Sequence, residues 1–345
     1  MRSSSEKKLI ILTVIVVVII ISIAAFIAYA FLSNGNNSSE NNMNFQLYNE
    51  SNSKPTVNTE NNIGQNTVVP VENANNEQTQ TQGSSTTDTN TYYYKQLSNT
   101  AKKIYDGLKK HKDDMKTGTY VIDFGTEFNS ILNGADGEEI LNQEYQSAWN
   151  AFSYDNVDLY YLDINKVSMV MEARTEGATT TYYVKIGPGD YSSYLSSTFA
   201  NKKEIEDADA YIKDIRNQVM SILGPYNNAM KIKVVNEWMI DNLSYENIEG
   251  NNNKYNLYGA IVETKVVCEG YARMFKYIMD GLNIPCILVS GTATNSEGET
   301  ELHAWNYVEL NGQWYAVDVT WNDPVVIGEG ELTESQKSKY LLKGK

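Results

Sequence analysis

Cys268, His303 and Asp318 follow one another along the chain as a thiol, an imidazole and a carboxylate. This is the set that thiol acyl transfer needs, because a thiolate attacks, an imidazole moves the proton and a carboxylate orients the imidazole. The 345 residues hold only two Cys and two His. His111 lies in a charged run that is typical of a solvated helix end, so we predict that His303 is the base of any Cys–His pair.

Cys268 stands at the start of a predicted helix. Apolar residues recur after it at helical spacing and share one face: Tyr271, Met274, Phe275, Ile278, Met279 and Leu282. At a helix N-terminus, the unpaired amides and the positive end of the dipole stabilise a thiolate and offer donors to an oxyanion. Residues 281–285 end this helix, and residues 286–290 are predicted to form a strand.

The dipeptide Asn311-Gly312 predicts a two-residue β-hairpin turn. In the register set by that turn, Trp305 faces Asp318 and His303 faces Thr320. His303 and Asp318 are then diagonal neighbours on one face of the hairpin, about 7–8 Å apart at Cα and within side-chain reach. This geometry suits a carboxylate that orients an imidazole.

Other interpretations of the thiol remain open. Cys268 is either a small buried apolar residue, or half of a disulfide with Cys286, or a nucleophile. Cys286 lies within an apolar strand, where a free Cys is ordinary, so the disulfide is the less favoured choice. Two Cys and one usable His make a poor zinc set, and Asp323 fits a turn residue better than a Ca²⁺ ligand. We predict no metal and no cofactor.

Residues 9–32 are an uncharged, mostly apolar run of 24 residues, predicted to be a transmembrane helix. Arg2, Lys7 and Lys8 precede the run, whereas acids dominate the segment after it, so the positive-inside rule places residues 1–8 in the cytoplasm. Everything after residue 32 is then extracytoplasmic. The alternative is a signal peptide cleaved near Ala30, although the apolar run is longer than usual for one.

Residues 33–90 are rich in Asn, Thr, Gln and Ser and poor in large apolar residues, which predicts a disordered polar tether. A mixed α/β accessory region follows at 91–225. It has predicted helices around residues 97–108 and 203–223, and predicted strands at 159–164, 167–173 and 179–186. A last region, 226–345, opens with a helix whose predicted apolar stripe comprises Met230, Val234, Trp238 and Ile240.

The formal net charge is −15, of which −12 falls on residues 91–345. An acidic surface argues against nucleic acid and anionic lipid headgroups as partners of the folded part. We therefore predict no nucleic-acid partner and membrane contact only through the N-terminal helix. The oligomeric state is open at this point.

The segments 267–272 (VCEGYA), 303–306 (HAWN) and 314–321 (WYAVDVTW) resemble the three core motifs of the bacterial transglutaminase-like superfamily, relatives of the papain-like thiol enzymes. Residues 256–262 and 281–286 are similar to its flanking segments. The resemblance implies an α+β fold, in which a helix carrying the Cys packs on an antiparallel sheet carrying the His and the Asp.

The resemblance also implies roles for individual residues. Cys268 is expected to be the nucleophile, His303 the base and acid, and Asp318 the orienting carboxylate. Tyr258 and Trp305 are candidates for oxyanion or substrate contacts. Thr264 departs from the family pattern, since relatives often have a glycine shortly before the Cys.

The function implied is an extracytoplasmic thiol enzyme that forms a thioester from a protein or peptide amide, and water or an amine then resolves it. Peptidase or amidase activity is favoured over protein cross-linking, with surface protein or cell-wall peptide as substrate. The anchor, tether and Tyr-rich region resemble membrane-anchored surface proteins of Gram-positive bacteria. The alternative is a non-catalytic cell-surface binding module that retains the fold.

Overall fold

The computed structural model describes residues 91–294, 298, 300–324 and 332–344. The predicted cytoplasmic N-terminus at 1–8, transmembrane helix at 9–32 and tether at 33–90 all lie outside these ranges. Within them, no helix is both long enough and apolar enough to cross a membrane.

Helices and strands alternate along the described part of the chain. The helices are α1 (Asn99–Lys110), α2 (Asn129–Leu132), α3 (Gly137–Asp155), α4 (Lys202–Ser221), α5 (Asn228–Asn242), α6 (Cys268–Gly281) and α7 (Glu334–Lys337). The strands are β1 (Ile122–Gly125), β2 (Ser168–Glu176), β3 (Thr179–Gly187), β4 (Ser244–Tyr245), β5 (Lys265–Val266), β6 (Cys286–Thr294), β7 (Thr300–Leu310) and β8 (Gln313–Val317).

The first sheet is antiparallel, with strand order β1-β3-β2. The predicted strands at 167–173 and 179–186 are confirmed as β2 and β3, and the two predicted helices as α1 and α4. The predicted strand at 159–164 is wrong, because this segment forms turns and one isolated bridge from Leu162 to Leu195.

Two adjacent tyrosines explain why residues 159–164 leave the strand conformation. Tyr160 and Tyr161 are both buried, whereas successive side chains of a strand point to opposite faces. The Tyr160 hydroxyl donates to Asp209 Oδ1 at 2.6 Å, and the Tyr161 hydroxyl donates to the Lys112 carbonyl at 2.7 Å. These bonds fix both rings in the core through a turn, so the apolar pattern here reflects burial and not a strand.

The second sheet is antiparallel with strand order β6-β7-β8, and α6 packs against β6 and β7. The predicted register of the β7–β8 hairpin is confirmed over five pairs, from Leu310 with Gln313 to Asn306 with Val317. Strand β8 ends at Val317, so Asp318 begins the loop that follows. This hairpin brings the end of β8 beside the middle of β7.

Helix α5 is confirmed, but the predicted apolar stripe is only partly its buried face. Met230 is 44% exposed, whereas Ile232, Val235 and Met239 are fully buried. The buried Asn236 shares this face and donates from Nδ2 to the Lys337 carbonyl at 2.8 Å. A hydropathy pattern counts a polar residue such as Asn236 as exposed, even when a hydrogen bond lets it be buried. The predicted stripe therefore differs from the buried face of α5.

One apolar core runs through both predicted regions. It includes Trp149 and Phe152 from α3 together with Phe275 and Ile278 from α6. The N-terminal end of the described chain is also held by this core, because the buried Asp155 accepts hydrogen bonds from the backbone amides of residues 93 and 94. The division between 225 and 226 stays a prediction.

Candidate active site

Cys268 is the first residue of α6, as the sequence predicts, and it is partly buried. The first turn of a helix leaves its backbone N–H groups without intrahelical acceptors, so amide donors lie next to the sulfur. The short parallel strand pair β4–β5 ends at Val266, two residues before Cys268. Gly270 lets the first turn of α6 lie close to Val266 and Lys254. A Cβ at this position would lie 2.5 Å from the Val266 Cβ and 2.8 Å from the Lys254 carbonyl oxygen.

His303 and Asp318 form a buried pair. The Nε2 atom of His303 donates to Oδ2 of Asp318 at 2.6 Å, and both residues are less than a tenth exposed. Because Asp318 takes Nε2, the Nδ1 atom is the ring nitrogen left for Cys268, which lies close enough to raise the pKa of His303. The three residues singled out from the sequence therefore lie together in space.

The charge state of His303 follows from these neighbours. Burial lowers the pKa of His303, but the hydrogen bonds to Asp318 and Cys268 and their negative charges act the other way, and the net effect raises it to about 10. The imidazolium form is thus the stable one at neutral pH. This cation lies near Cys268, the first residue of α6.

Two tryptophans enclose the imidazole of His303. The Trp321 ring stacks on it with centroids 4.8 Å apart and an interplanar angle of 20°, and the Trp305 ring lies at 5.9 Å and 19°. Aromatic faces attract a cation, so this enclosure favours imidazolium while it limits ring rotation. Trp305, a sequence candidate for substrate contact, therefore lies against the imidazole of His303.

Asp318 is fixed by the loop after β8. Its Oδ1 atom accepts a hydrogen bond from the Trp321 backbone amide at 3.0 Å, which leaves Oδ2 for His303. The Asp318 backbone amide donates to the Tyr340 carbonyl at 3.1 Å, and the Tyr340 ring packs edge-on against Trp321. The carboxylate is therefore held by the Trp321 amide at Oδ1 and by His303 at Oδ2.

Asn306 joins the helix that carries the Cys to the sheet that carries the His. It is 1% exposed, and its Nδ2 atom donates to the Ala272 carbonyl at 3.0 Å and to the Ile287 carbonyl at 3.3 Å. Sequence reasoning quoted Asn306 within the HAWN motif but assigned it no role. The signal was a polar residue at a position where strand alternation predicts burial.

Tyr245 is a neighbour of Cys268 that sequence reasoning missed. It pairs with Val266 in the β4–β5 ladder, two residues before the Cys. Burial raises the pKa of Tyr245 to about 12, and the negative charges of Cys268 and Glu301 add to this effect. A two-residue strand formed by distant segments leaves no periodic signal in the sequence, so only the fold reveals this phenol.

Tyr258, the sequence candidate for an oxyanion contact, lies in an aromatic cluster. Its ring centroid is 5.1 Å from that of Phe199 and 5.8 Å from that of Tyr160. Its role at the oxyanion stays a prediction. Nearby, Thr264 has φ +58°, a left-handed conformation that favours glycine, which explains why a glycine suits this position in relatives.

The two thiols form no disulfide, and the carboxylate of Asp323 has a hydrogen-bond partner within the protein. Cys268 and Cys286 are both free. Asp323 accepts a hydrogen bond from the Tyr271 hydroxyl at 2.6 Å, so it ties the loop to α6. Across the described ranges, no cluster of three or more His, Cys, Asp or Glu residues is arranged to hold a metal ion.

Comparison with known proteins finds a family match over the part of the chain that carries this site. Residues 216–319 match the family described as "Transglutaminase-like superfamily", and this segment contains all of Cys268, His303 and Asp318. The chain therefore contains a transglutaminase-like domain within a mixed α+β fold.

Among curated proteins, it is similar to Kyphoscoliosis peptidase of Mus musculus and of Homo sapiens, each 25% identical over 157 residues. The match covers 40% of this chain and 23% of the relative, so the chain spans about a quarter of their length.

Two solved structures show a partial likeness. One is described as a TGase, with a TM-score of 0.32 and 12% identity over 50% of this chain and 49% of that chain. The other is the periplasmic domain of TgpA from Pseudomonas aeruginosa, with a TM-score of 0.25 and 13% identity over 41% and 56% of the two chains.

The raised pKa of His303 predicts how stability depends on pH. Since the folded pKa of about 10 exceeds the ordinary value of 6.5, the pair stabilises the fold fully below pH 6.5 and loses this contribution as pH rises through 10. We expect the native chain to exceed Asp318→Asn in free energy of unfolding by about 2–4 kcal/mol at pH 6.5, and by clearly less at pH 10. Urea unfolding at both pH values measures this difference.

The His111–Asp114 contact supplies the matched control for this measurement. Its Nδ1 and Oδ2 atoms are 2.9 Å apart, but the Asp114 side chain is 51% exposed. Asp114→Asn should therefore change the free energy of unfolding by less than about 0.5 kcal/mol at either pH. A difference for Asp318→Asn that stays constant between the two pH values would contradict the prediction.

Proposed function

We propose that this protein is a thiol acyl-transfer enzyme that cleaves amides of proteins or peptides through Cys268, His303 and Asp318. The observation that carries the proposal is the buried Nε2–Oδ2 contact of 2.6 Å between His303 and Asp318, with Cys268 close enough to the same imidazole to raise its pKa. A scaffold has no need for a desolvated imidazolium–carboxylate pair beside a thiol at a helix start. The transglutaminase-like match over 216–319 supports the same class.

The proposed reaction has two steps. The Cys268 thiolate attacks the amide carbonyl carbon, and backbone amides at the start of α6 stabilise the developing oxyanion. The His303 imidazolium protonates the leaving amine as the C–N bond breaks, which gives a thioester and a neutral imidazole. That imidazole then takes a proton from water, the resulting hydroxide adds to the thioester, and the thiolate leaves.

Asp318 acts through His303 in both steps. It holds the ring so that Nδ1 faces the sulfur, and it stabilises the positive charge while the imidazole is protonated. Tyr245 pairs with Val266 just before Cys268, and the charge of Cys268 contributes to its raised pKa, so we assign its phenol to the oxyanion or the substrate carbonyl ahead of Tyr258. The contacts of Tyr258 with Phe199 and Tyr160 support a packing role for that ring.

Water is the proposed acceptor of the acyl group. The curated relatives carry the name peptidase, which supports hydrolysis over cross-linking. Cys268 is a partly exposed residue and Glu301 is exposed, which supports access of water to the site over a bound amine.

The proposed location is the outer face of a membrane, of the kind found in Gram-positive surface proteins. The support is entirely in the sequence, namely the apolar run at 9–32, the basic residues before it and the polar segment at 33–90. Surface protein or cell-wall peptide is then the substrate within reach of the tethered domain.

Cysteine alkylation tests the proposed thiolate–imidazolium pair. Iodoacetamide should label Cys268 rapidly at pH 6, and His303→Ala should slow this labelling at least tenfold, because the imidazolium no longer stabilises the thiolate. Mass spectrometry of the digested full chain, over pH 5 to 9, locates and times the label.

Cys286 is the internal control for alkylation. It is fully buried, and burial raises the pKa of its thiol, so it should react only after unfolding. Slow labelling of Cys268 that is indifferent to His303→Ala would sink the enzyme proposal and favour the non-catalytic binding module.

The choice of acceptor is tested with a mixed peptide library and dansylcadaverine. We expect new amino termini or released ammonia that depend on Cys268, while dansyl incorporation stays at the level of Cys268→Ser, because water has free access to the thioester. Mass spectrometry distinguishes the products. Cys268-dependent dansyl incorporation would instead identify a cross-linking enzyme.

The proposed membrane anchor is tested by extraction of the full chain from membranes of the expressing cell. Detergent should release it and alkaline carbonate should not, since a 24-residue apolar helix spans the hydrocarbon core. A version lacking residues 9–32 is the control and should appear in the soluble fraction. Release of the full chain by carbonate would contradict the anchor.

A further inference from the structure

A ring of three hydrogen bonds closes the loop that carries Asp318. The backbone amide of Asp318 donates to the Tyr340 carbonyl at 3.1 Å, and the backbone amide of Tyr340 donates to Asn322 Oδ1 at 2.7 Å. The backbone amide of Asn322 completes the ring, because it donates to the Asp318 carbonyl at 3.1 Å. Both backbone polar groups of Asp318 therefore belong to this ring, and the Asn322 side chain is the part of it that a substitution can change.

The other end of the Asn322 side chain binds helix α5. Its Nδ2 atom donates to Asn236 Oδ1 at 2.9 Å, and Asn236 Nδ2 donates in turn to the Lys337 carbonyl at 2.8 Å. Both asparagines are fully buried. The oxygen and the nitrogen of each side-chain amide thus have a partner, as buried polar groups require.

The two ends of this chain of bonds fix the direction of each side-chain amide. The backbone N–H of Tyr340 can only donate, so the Asn322 atom that faces it is the oxygen. The Lys337 carbonyl can only accept, so the Asn236 atom that faces it is the nitrogen. A carboxylate at position 322 would lack the donor, and an apolar side chain would lack both groups. The network therefore calls for a side-chain amide at this position.

The segment after α7 has other attachments to the fold. Ala316 and Lys343 exchange two backbone hydrogen bonds of 2.8 and 2.9 Å, which pair this segment with β8. The Lys337 ammonium lies 2.7 Å from the Asp241 carboxylate on α5. These contacts join the segment to the sheet and to α5 without the buried asparagines. What the asparagine pair adds is a connection to the loop after β8.

We propose that Asn322 is a positioning residue of the active site, whose side chain holds the backbone of Asp318 so that its carboxylate stays on His303 Nε2. It acts through Asp318 and not by contact with a substrate. The catalytic use of this geometry rests on the proposed function, whereas the position of the carboxylate is a property of the folded chain alone. The family match ends at residue 319, so the active unit extends beyond it to Tyr340.

The ring proton on His303 Nε2 reports the position of the Asp318 carboxylate. In the full chain with nitrogen-15-labelled histidine, we expect NMR at pH 6 to show a strongly deshielded ring N–H that exchanges slowly with water. The reason is that a buried, charge-assisted hydrogen bond protects this proton. His111→Gln leaves one histidine in the chain and so assigns the signal to His303.

Asn322→Ala and Asn236→Ala are matched variants, because both remove a fully buried asparagine from the same network. Only Asn322→Ala opens the ring around Asp318. Exchange of the His303 ring proton should therefore become about tenfold faster in Asn322→Ala, which corresponds to the loss of one hydrogen bond, and change by less than about threefold in Asn236→Ala. Urea unfolding should show a similar loss of stability in both variants, so stability alone does not account for the difference.

Hydrogen exchange in the native chain tests the ring even if Asn322→Ala fails to fold. The backbone amides of Asp318, Asn322 and Tyr340 should be protected and exchange at similar rates, since opening one bond frees the others. Rapid exchange of the Tyr340 amide would overturn the proposal.

Equal effects of the two alanine variants on the His303 ring proton would also overturn it, because Asn322 would then have a structural role only. The readout is independent of catalysis. Slow labelling of Cys268 by iodoacetamide, together with the expected response of His303, would refute the enzyme and keep the positioning role.

Discussion

The buried contact between His303 and Asp318 is the interaction on which the site depends. Removing an imidazole and a carboxylate from water is costly, and the attraction between them compensates only when the geometry is good and the remaining polar atoms are paired. The Trp321 amide pairs the second carboxylate oxygen, and the two indole faces cover the ring. The loop after β8 carries Asp318 and Trp321. It therefore stabilises the charge of His303 as well as contributing to the fold.

That pair is useful only if the sulfur of Cys268 stays next to it, and the sulfur belongs to a different layer of the domain. Asn306 bridges the layers with two buried hydrogen bonds to backbone carbonyls of α6 and β6. Lys276 adds a second tie, because its buried ammonium donates to Asp280 on its own helix and to the Cys286 carbonyl at the start of β6. Polar contacts at two positions along α6, Ala272 and Lys276, thus fix this helix on the sheet.

Helix α6 also carries the ion pair of Glu269 and Arg273 into the wall of a neighbouring cavity. One helix therefore serves three purposes: its start presents the thiol, its apolar face fills the core, and its buried charges shape an adjoining space. This concentration of buried polar groups around a single helix is what distinguishes it from a purely structural element, since buried charges are kept only where partners are arranged for them.

The sequence alone determined the elements whose signals are local: the helix that starts at Cys268, the turn at Asn311-Gly312, the hairpin register, and from these the closeness of His303 and Asp318. The strand predicted at residues 159–164 was wrong, because side-chain hydrogen bonds bury this apolar run without strand pairing. Only the tertiary structure decided that β4 pairs with β5 just before Cys268 and that Asn306 bonds to the backbone of α6. Periodicity and turn chemistry act over a few residues and can be read along the chain, whereas contacts between distant segments depend on how all the layers pack.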